Sequence, residues 1–196
     1  MQCEEQVIHQ LPAILKSAKP MLGFSNLTSK CCPAFASILS TGESYLRELD
    51  LGFNNITDAA VKMLVKGMTS QNCRLEKLWL HCCGLTPQGC QYRALKIGVT
   101  LRELDLSGND LGDSGLKHLA NGLECLECHL EGLKLINRGL GAKSVAYLTG
   151  ARKSNPKYFN ELLLIGNKLS DADTRQLVQV TKNKKYALVT RDVSED

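Results

Sequence analysis

One arrangement of apolar residues keeps returning along this chain, and its period constrains the fold more than any other feature. Leu46-x-x-Leu49-x-Leu51-x-x-Asn54-x-Ile56 is repeated as Leu75-x-x-Leu78-x-Leu80-x-x-Cys83-x-Leu85, and the frame opens again at Leu101, Leu130 and Phe159, with offsets of 29, 26, 29 and 29. A weaker copy starts at Ser17, where Leu22, Ser25 and Leu27 fit the same frame. A fixed period of this size means one supersecondary element per copy, too small to bury its own apolar face, so neighbours must stack into a solenoid. Six such units use nearly all of the 196 residues and leave no length within them for a separate catalytic domain. Stacked units build surfaces rather than clefts, so function is expected on a surface.

Within a unit, the Leu-x-x-Leu-x-Leu stretch reads as a short strand and the next ten to fifteen residues as a helix. In the second unit Val61, Leu64, Val65 and Met68 follow Ile56 at spacings of three and four, and in the fourth Leu116, Leu119, Ala120 and Leu123 follow Leu111. Those spacings share one helical face, which packs on the strand leucines. Each buried leucine contributes about 1.5–3 kcal/mol. Thr57-Asp58, Thr86-Pro87, Asp113-Ser114 and Ser170-Asp171 read as helix starts, being cap and first-turn residues. The ninth position runs Ser25, Asn54, Cys83, Asn109, Arg138, Asn167, with asparagine in every second unit. Its short amide is suited to bond the backbone of the bend after the strand, where ladder partners run out. The third unit is short, its deletion falling between Ala94 and Leu101, so its helix is expected to be trimmed or irregular.

The asparagine alternation, Leu-Arg-Glu-Leu-Asp-Leu at 46–51 and again at 101–106, and Leu85-Thr86-x-x-Gly89-Cys90 resemble the ribonuclease-inhibitor type of leucine-rich repeat. The run from Leu11-Pro12 through Asn26-Leu27-Thr28-x-x-Cys31-Cys32 to Leu51 looks more specifically like the carboxy-terminal repeats of NACHT-containing NOD-like receptors. The resemblance spans about residues 10–190. It implies an α/β horseshoe, with parallel strands on the concave face and helices on the convex face, in about six repeats beginning near 17, 46, 75, 101, 130 and 159 of a single domain, 1–196. It also implies non-enzymatic, cytoplasmic protein recognition, as the ligand-sensing or autoinhibitory module of an innate immune receptor. The partner would be a protein on the concave face or the NACHT domain of the same receptor. The chain lacks the Gly-x-x-x-x-Gly-Lys-Ser/Thr phosphate loop, so that family's nucleotide-driven oligomerisation does not carry over to this polypeptide. Residues 2–16 read as an amphipathic helix of a preceding unit, which suggests a piece of a longer receptor or a shortened relative. Tyr186, Leu188 and Val189 read as a last edge strand, and 186–196 as a cap and tail.

Composition agrees. A balance of 24 Lys+Arg against 20 Asp+Glu, spread along the chain, is not the one-faced basic cluster of a nucleic-acid binder. No apolar run approaches the ~18 residues that span a bilayer. Nine cysteines, with Cys31-Cys32 and Cys82-Cys83 adjacent, are a poor disulfide framework and fit a reducing compartment.

Two motifs invite a metal or redox reading. Cys125-Leu126-Glu127-Cys128-His129 matches a c-type haem attachment pattern, but Cys128 and Cys73 both stand two residues before the first leucine of a unit. His81-Cys82-Cys83 with Cys90 suggests zinc. In register, however, Cys83 fills the ninth position and Cys90 the first buried helix position, shared with Cys32, Val61, Leu116 and Val145. Small apolar sites of this kind suit a free cysteine. Only His81 and Cys82 are left facing outward, too few for a structural metal, so no cofactor is expected. The basic run Lys182–Lys185 reads as a solvated helix end.

Strand side chains alternate, so positions three, five and seven of each unit line the inner curve. The middle row reads Met21, Asp50, Trp79, Asp105, Lys134, Leu163; beside it lie Lys19, Glu48, Lys77, Glu103, Gly132, Glu161, and on the other side Gly23, Gly52, His81, Ser107, Ile136, Ile165. Asp50 and Asp105 fall two strands apart, roughly 10 Å at ~4.8 Å per strand, which suits no paired-carboxylate chemistry. The only tryptophan of the chain lands mid-face, flanked by Asp50 and Asp105 and one step from Phe53. Aromatics among charges dominate protein interfaces. Trp79 is therefore either a leading contact or a cover for neighbouring aliphatic stems, with Lys77 bridging Glu48 and Glu103. The candidate protein-binding residues are Glu48, Asp50, Phe53, Lys77, Trp79, His81, Glu103, Asp105 and Lys134. A free-standing scaffold or inhibitor similar to ribonuclease inhibitor is the alternative, and a metal or redox protein a distant one.

Overall fold

Only three residues of each unit pair as strand, and those three set the whole architecture. A computed structural model describes residues 9, 10, 13, 14, 16–91, 100–125, 127–137, 139–180 and 187–190. The strands are β1 (Glu48–Asp50), β2 (Lys77–Trp79), β3 (Glu103–Asp105), β4 (Gly132–Lys134), β5 (Glu161–Leu163) and β6 (Ala187–Val189). They form one parallel sheet in chain order, β1 to β6. The register puts Leu49, Leu78, Leu104, Leu133, Leu162 and Leu188 side by side in a single line. Every crossover between parallel neighbours carries a helix: α1 (Cys32–Ser40) precedes β1, followed by α2 (Thr57–Met68), α3 (Pro87–Gln91), α4 (Gly112–Leu123), α5 (Ala142–Ser154) and α6 (Asp171–Gln179). The first unit has no strand of its own; Met21 makes a single parallel bridge to Asp50. Of the expected helix over residues 2–16, residues 9, 10, 13, 14 and 16 are described and are helical; its other residues, 92–99 of the third unit, Arg138, the Lys182–Lys185 run, Tyr186 and the 191–196 tail lie outside the described residues.

The core is one continuous layer between sheet and helices. Leu46, Leu49 and Leu51 of the second unit are sealed from water, as are Leu101, Leu104 and Leu106 of the fourth. Val61, Leu64, Val65 and Met68 bury the facing side of α2, and Leu116, Leu119, Ala120 and Leu123 that of α4. The helix period and the strand period thus meet on the same core.

Asparagine at the ninth position does more than tie its own bend. Asn54 Nδ2 donates to Leu51 O (3.0 Å) in its own unit and to Leu22 O (2.8 Å) in the unit before, while its Oδ1 accepts from Ser25 N (3.0 Å) and Leu27 N (2.9 Å) of that earlier unit. Asn109 repeats the arrangement on Leu106 O, Leu80 O, Cys83 N and Leu85 N, and Asn167 reaches Leu164 O, Leu135 O and Leu140 N. One amide therefore satisfies two bends, its own and its predecessor's. That explains the alternation, because the unit ahead of each asparagine already has its bend bonded. In such a unit Cys83 Sγ donates weakly to Leu51 O at 3.1 Å.

The helix starts differ from expectation in two places. Ser170 caps α6 in a full capping box with Asp173, and Thr86 Oγ1 accepts from Gln88 N at 3.3 Å. Thr57 and Asp113 make no cap. Thr57 sits at φ 55°, out of cap geometry, and its hydroxyl meets Ser29 Oγ at 2.7 Å. Asp58 and Asp113 serve the following unit instead: Asp58 Oδ1 accepts from Thr86 N at 2.9 Å, and Ser144 Oγ lies 2.5 Å from Asp113 Oδ1. Inter-unit bonding has displaced local capping.

A second regularity appears one residue before the asparagine position. Every unit leaves its strand through the left-handed region at position eight: Phe24 (φ 56°), Phe53 (54°), Cys82 (52°), Gly108 (72°), Asn137 (60°) and Gly166 (71°). Glycine and asparagine adopt this conformation readily, whereas a bulky side chain there is strained.

Two outcomes are expected. Asn109→Ala strands two buried N–H groups and two carbonyls, and should lower unfolding free energy by roughly 2–4 kcal/mol in urea titrations, against about 1 kcal/mol or less for Cys83→Ala. The Ser170 contacts hold the Asp173 carboxyl below its ordinary value of 3.8. A depressed carboxylate stabilises the fold above its unfolded pKa and loses that contribution as pH falls through the folded one. Ser170→Ala should therefore lower the melting temperature at neutral pH, with the gap to wild type closing as the solution is acidified below the carboxylate range.

Candidate protein-binding face

The parallel register turns positions three and five of the sequence into two outward rows of the sheet, with Glu48 beside Lys77 beside Glu103, and Asp50 beside Trp79 beside Asp105; position seven lies past the paired residues. The two rows have different electrostatics. Lys19 Nζ lies 2.9 Å from Glu48, and Lys77 Nζ lies 2.9 Å from Glu103 and 4.0 Å from Glu48. The hydrogen bond from Lys77 to Glu103 raises the lysine's pKa above its ordinary value. At this exposure each pair contributes a few tenths of a kcal/mol. Arg47 with Glu76 and Arg102 with Glu131 extend the same self-neutralising pattern at position two.

The middle row does not neutralise itself. Asp50 has Met21 on one side and Trp79 on the other. Asp50 Oδ1 accepts from Gly52 N at 2.9 Å, and Asp105 Oδ1 accepts from Ser107 N at 2.9 Å, so each carboxylate is oriented by its own backbone. Among the described residues neither carboxylate makes an ion pair, and Lys134, in register with Asp105, makes none either. Trp79 lies half-covered between two fixed carboxylates.

Phe53, one step from Trp79 in the sequence reading, lies at the strand ends, where its ring stacks on Phe24 (centroids 4.0 Å apart, 13° between planes) and meets His81 edge-on at 5.0 Å. The left-handed backbone at position eight swings the ring out of the sheet's alternation. His81 is drawn the same way, its imidazole lying over Gly52, where any β-carbon would meet the ring at 2.2 Å. His81 Nδ1 is buried with no hydrogen-bond partner among the described residues. Phe24 went unnoticed in the sequence. Its signal was its position, since it is an aromatic where three of the other units use glycine or asparagine. Phe24 is 76% exposed, Met21 67% and Phe53 45%.

The sulfur motifs resolve into packing. The eight described cysteines are free thiols; Cys31, Cys32, Cys73, Cys83, Cys90 and Cys128 are buried, and only Cys82 and Cys125 reach solvent. Burial pushes Cys83 up to about 11 and Cys90 up to about 12, and raises Cys73 and Cys128 as well. A thiol so held is a poor ligand and a poor nucleophile at neutral pH. His129 rests against Tyr158, ring centroids 4.3 Å apart. Among the described residues no group of three or more His, Cys, Asp or Glu is placed to hold a metal ion.

Comparison with known proteins agrees with this geometry. A family model described as "Leucine Rich repeat" matches residues 43–65 and 99–120, which open the second and fourth units. Mouse NACHT, LRR and PYD domains-containing protein 3 is 36% identical over 160 residues, covering 81% of this chain and 15% of that protein. Pig ribonuclease inhibitor is 38% identical over 155 residues (78% of this chain, 34% of that protein), and mouse ribonuclease inhibitor 34% over 189 residues (93% and 41%). The chain thus spans well under half the length of these relatives. Among solved structures, the leiomodin-1 actin-binding site 2 superposes with a TM-score of 0.54 at 13% identity over 90% of this chain and 86% of that one, a likeness of fold. No described helix is long and apolar enough to cross a membrane.

The burial of the thiols sets a chemical expectation. In native protein near pH 8, Ellman's reagent followed by peptide mapping should label Cys82 and Cys125, leaving Cys73, Cys83, Cys90 and Cys128 untouched until urea is added. Prompt native labelling of Cys128 would contradict the packing assigned to it.

Proposed function

The chain belongs to the leucine-rich-repeat proteins of ribonuclease-inhibitor type, and we propose that it is a non-enzymatic module that recognises a protein through the concave row Asp50–Trp79–Asp105. The observation that carries this is the contrast between rows: Glu48, Lys77 and Glu103 satisfy one another, whereas the two middle-row carboxylates around the single tryptophan make no ion pair among the described residues. Tryptophan is one of the residue types that dominate binding energy at interfaces, and two carboxylates fixed beside it favour a partner that brings a cation.

Likeness to the repeats of NACHT, LRR and PYD proteins over about four-fifths of the chain supports a finer reading, as the cytosolic ligand-sensing or autoinhibitory repeats of an innate immune receptor. The partner is then a protein ligand or a NACHT domain. Likeness to ribonuclease inhibitor favours the second reading, a free-standing scaffold or inhibitor whose acidic concave residues face a basic partner.

The binding reading predicts that Trp79→Ala combined with Asp50→Lys abolishes capture of specific cytosolic proteins by the immobilised chain while leaving circular dichroism and the urea midpoint at wild-type values. An identical capture profile from the folded double variant would sink it. An antibody against residues 170–196 separates the two finer readings. A native band near the calculated 21.5 kDa favours the scaffold or inhibitor, and a much larger band favours the receptor.

A further inference from the structure

The strand ends of the first two units hold a feature that the fold does not require. Position eight is left-handed in every unit, and Gly108, Asn137 and Gly166 occupy it with residues suited to that backbone. Phe24 and Phe53 occupy it with phenyl rings that are largely and about half exposed respectively and stacked face to face at 4.0 Å. Two bulky aromatics in strained backbone, displayed to water, are a cost that packing does not explain.

What lies beside the pair indicates its occupant. Phe53 is edge-on to His81, which is two residues along the strand from Trp79, and Phe24 follows Gly23, whose β-position would lie 3.4 Å from Asp50 Oδ2. Asp50 has Met21 and Trp79, not a cation, at the positions on either side of it and no ion pair among the described residues, and its Oδ1 is already held by Gly52 N, leaving Oδ2 as the open acceptor. The surface is therefore an apolar aromatic step beside an oriented carboxylate, unpaired among the described residues, in the row that carries Trp79. Nucleic acid is disfavoured by Asp50 and Asp105. A protein segment that places a cation on Trp79 and an apolar side chain on Phe24 satisfies every element at once. Arginine fits better than lysine, because its planar, weakly hydrated fork stacks on an indole and pairs with a carboxylate together.

We propose, building on the protein-recognition reading above, that the partner docks through an arginine adjoining an apolar residue, the guanidinium meeting Trp79 and Asp50 and the apolar residue lying on the Phe24–Phe53 step. Trp79 is the only tryptophan of the chain, so its emission reports directly on this site.

The test titrates the full chain with an acetylated nine-residue peptide carrying a central Leu-Arg-Leu in a glycine-serine background, up to about 5 mM, since a single anchor of this kind is expected near the millimolar range. A saturable change in Trp79 emission is expected, about tenfold weaker for the citrulline peptide, several-fold weaker for the lysine peptide, and lost in Asp50→Asn. Phe24→Asn, which suits the left-handed backbone, should lose the response with its urea midpoint unchanged. Equal binding of arginine and citrulline peptides, no saturable change with the arginine peptide, or displacement of that peptide by a thymidine oligonucleotide would each overturn the proposal. Capture of cytosolic proteins that is sensitive to Trp79→Ala but indifferent to Phe24→Asn and Asp50→Asn would overturn it while leaving concave-face recognition standing. Loss of all such capture sensitivity would instead remove the reading beneath it.

Discussion

A three-residue strand leaves most of its unit's backbone without ladder partners, and the side-chain amide that takes over their hydrogen bonds is what the structure depends on. Asn54, Asn109 and Asn167 each bond the bend of their own unit and the bend of the unit before, with carbonyls and N–H groups that would otherwise be buried unpaired. A buried polar group without a partner costs about 1–3 kcal/mol, comparable to burying a leucine, so each clasp stabilises as much as a core residue does. The units therefore associate as asparagine-clasped pairs, and Asp58 and Asp113 reinforce the stacking by bonding Thr86 and Ser144 of the next helix start.

That register, once fixed, lays out the surface. Because Leu49, Leu78, Leu104, Leu133 and Leu162 stand in line beneath the sheet, the residues on either side of each stand in line above it. Position three becomes a ladder that neutralises itself through Lys19 and Lys77, and position five becomes a row whose carboxylates at Asp50 and Asp105 are held by backbone N–H groups rather than cations. Binding capacity arises from this difference between adjacent rows.

Much of this was legible in the sequence because it depends on period. Strand leucines, the buried helix face and the order of the rows follow from spacings of two, three and four and from a period of 29 that the third unit shortens to 26. Cys83, Cys90 and Cys128 read as packing for the same reason, since register places them where other units put apolar residues. Helix starts were less legible. Thr57 and Asp113 look like caps locally, but the backbone at Thr57 and the nearness of Ser144 are products of stacking, so their polar atoms bond elsewhere.

The sequence by itself determined that the chain stacks, which side chains face the core and that Trp79 stands between two acids, because alternation and period leave no other assignment for leucines that must leave water. Only the tertiary structure decided that one asparagine serves two bends and that Phe53 stacks on Phe24. Both depend on φ at position eight and on the approach of residues 29 apart, quantities that no pattern within a single unit contains.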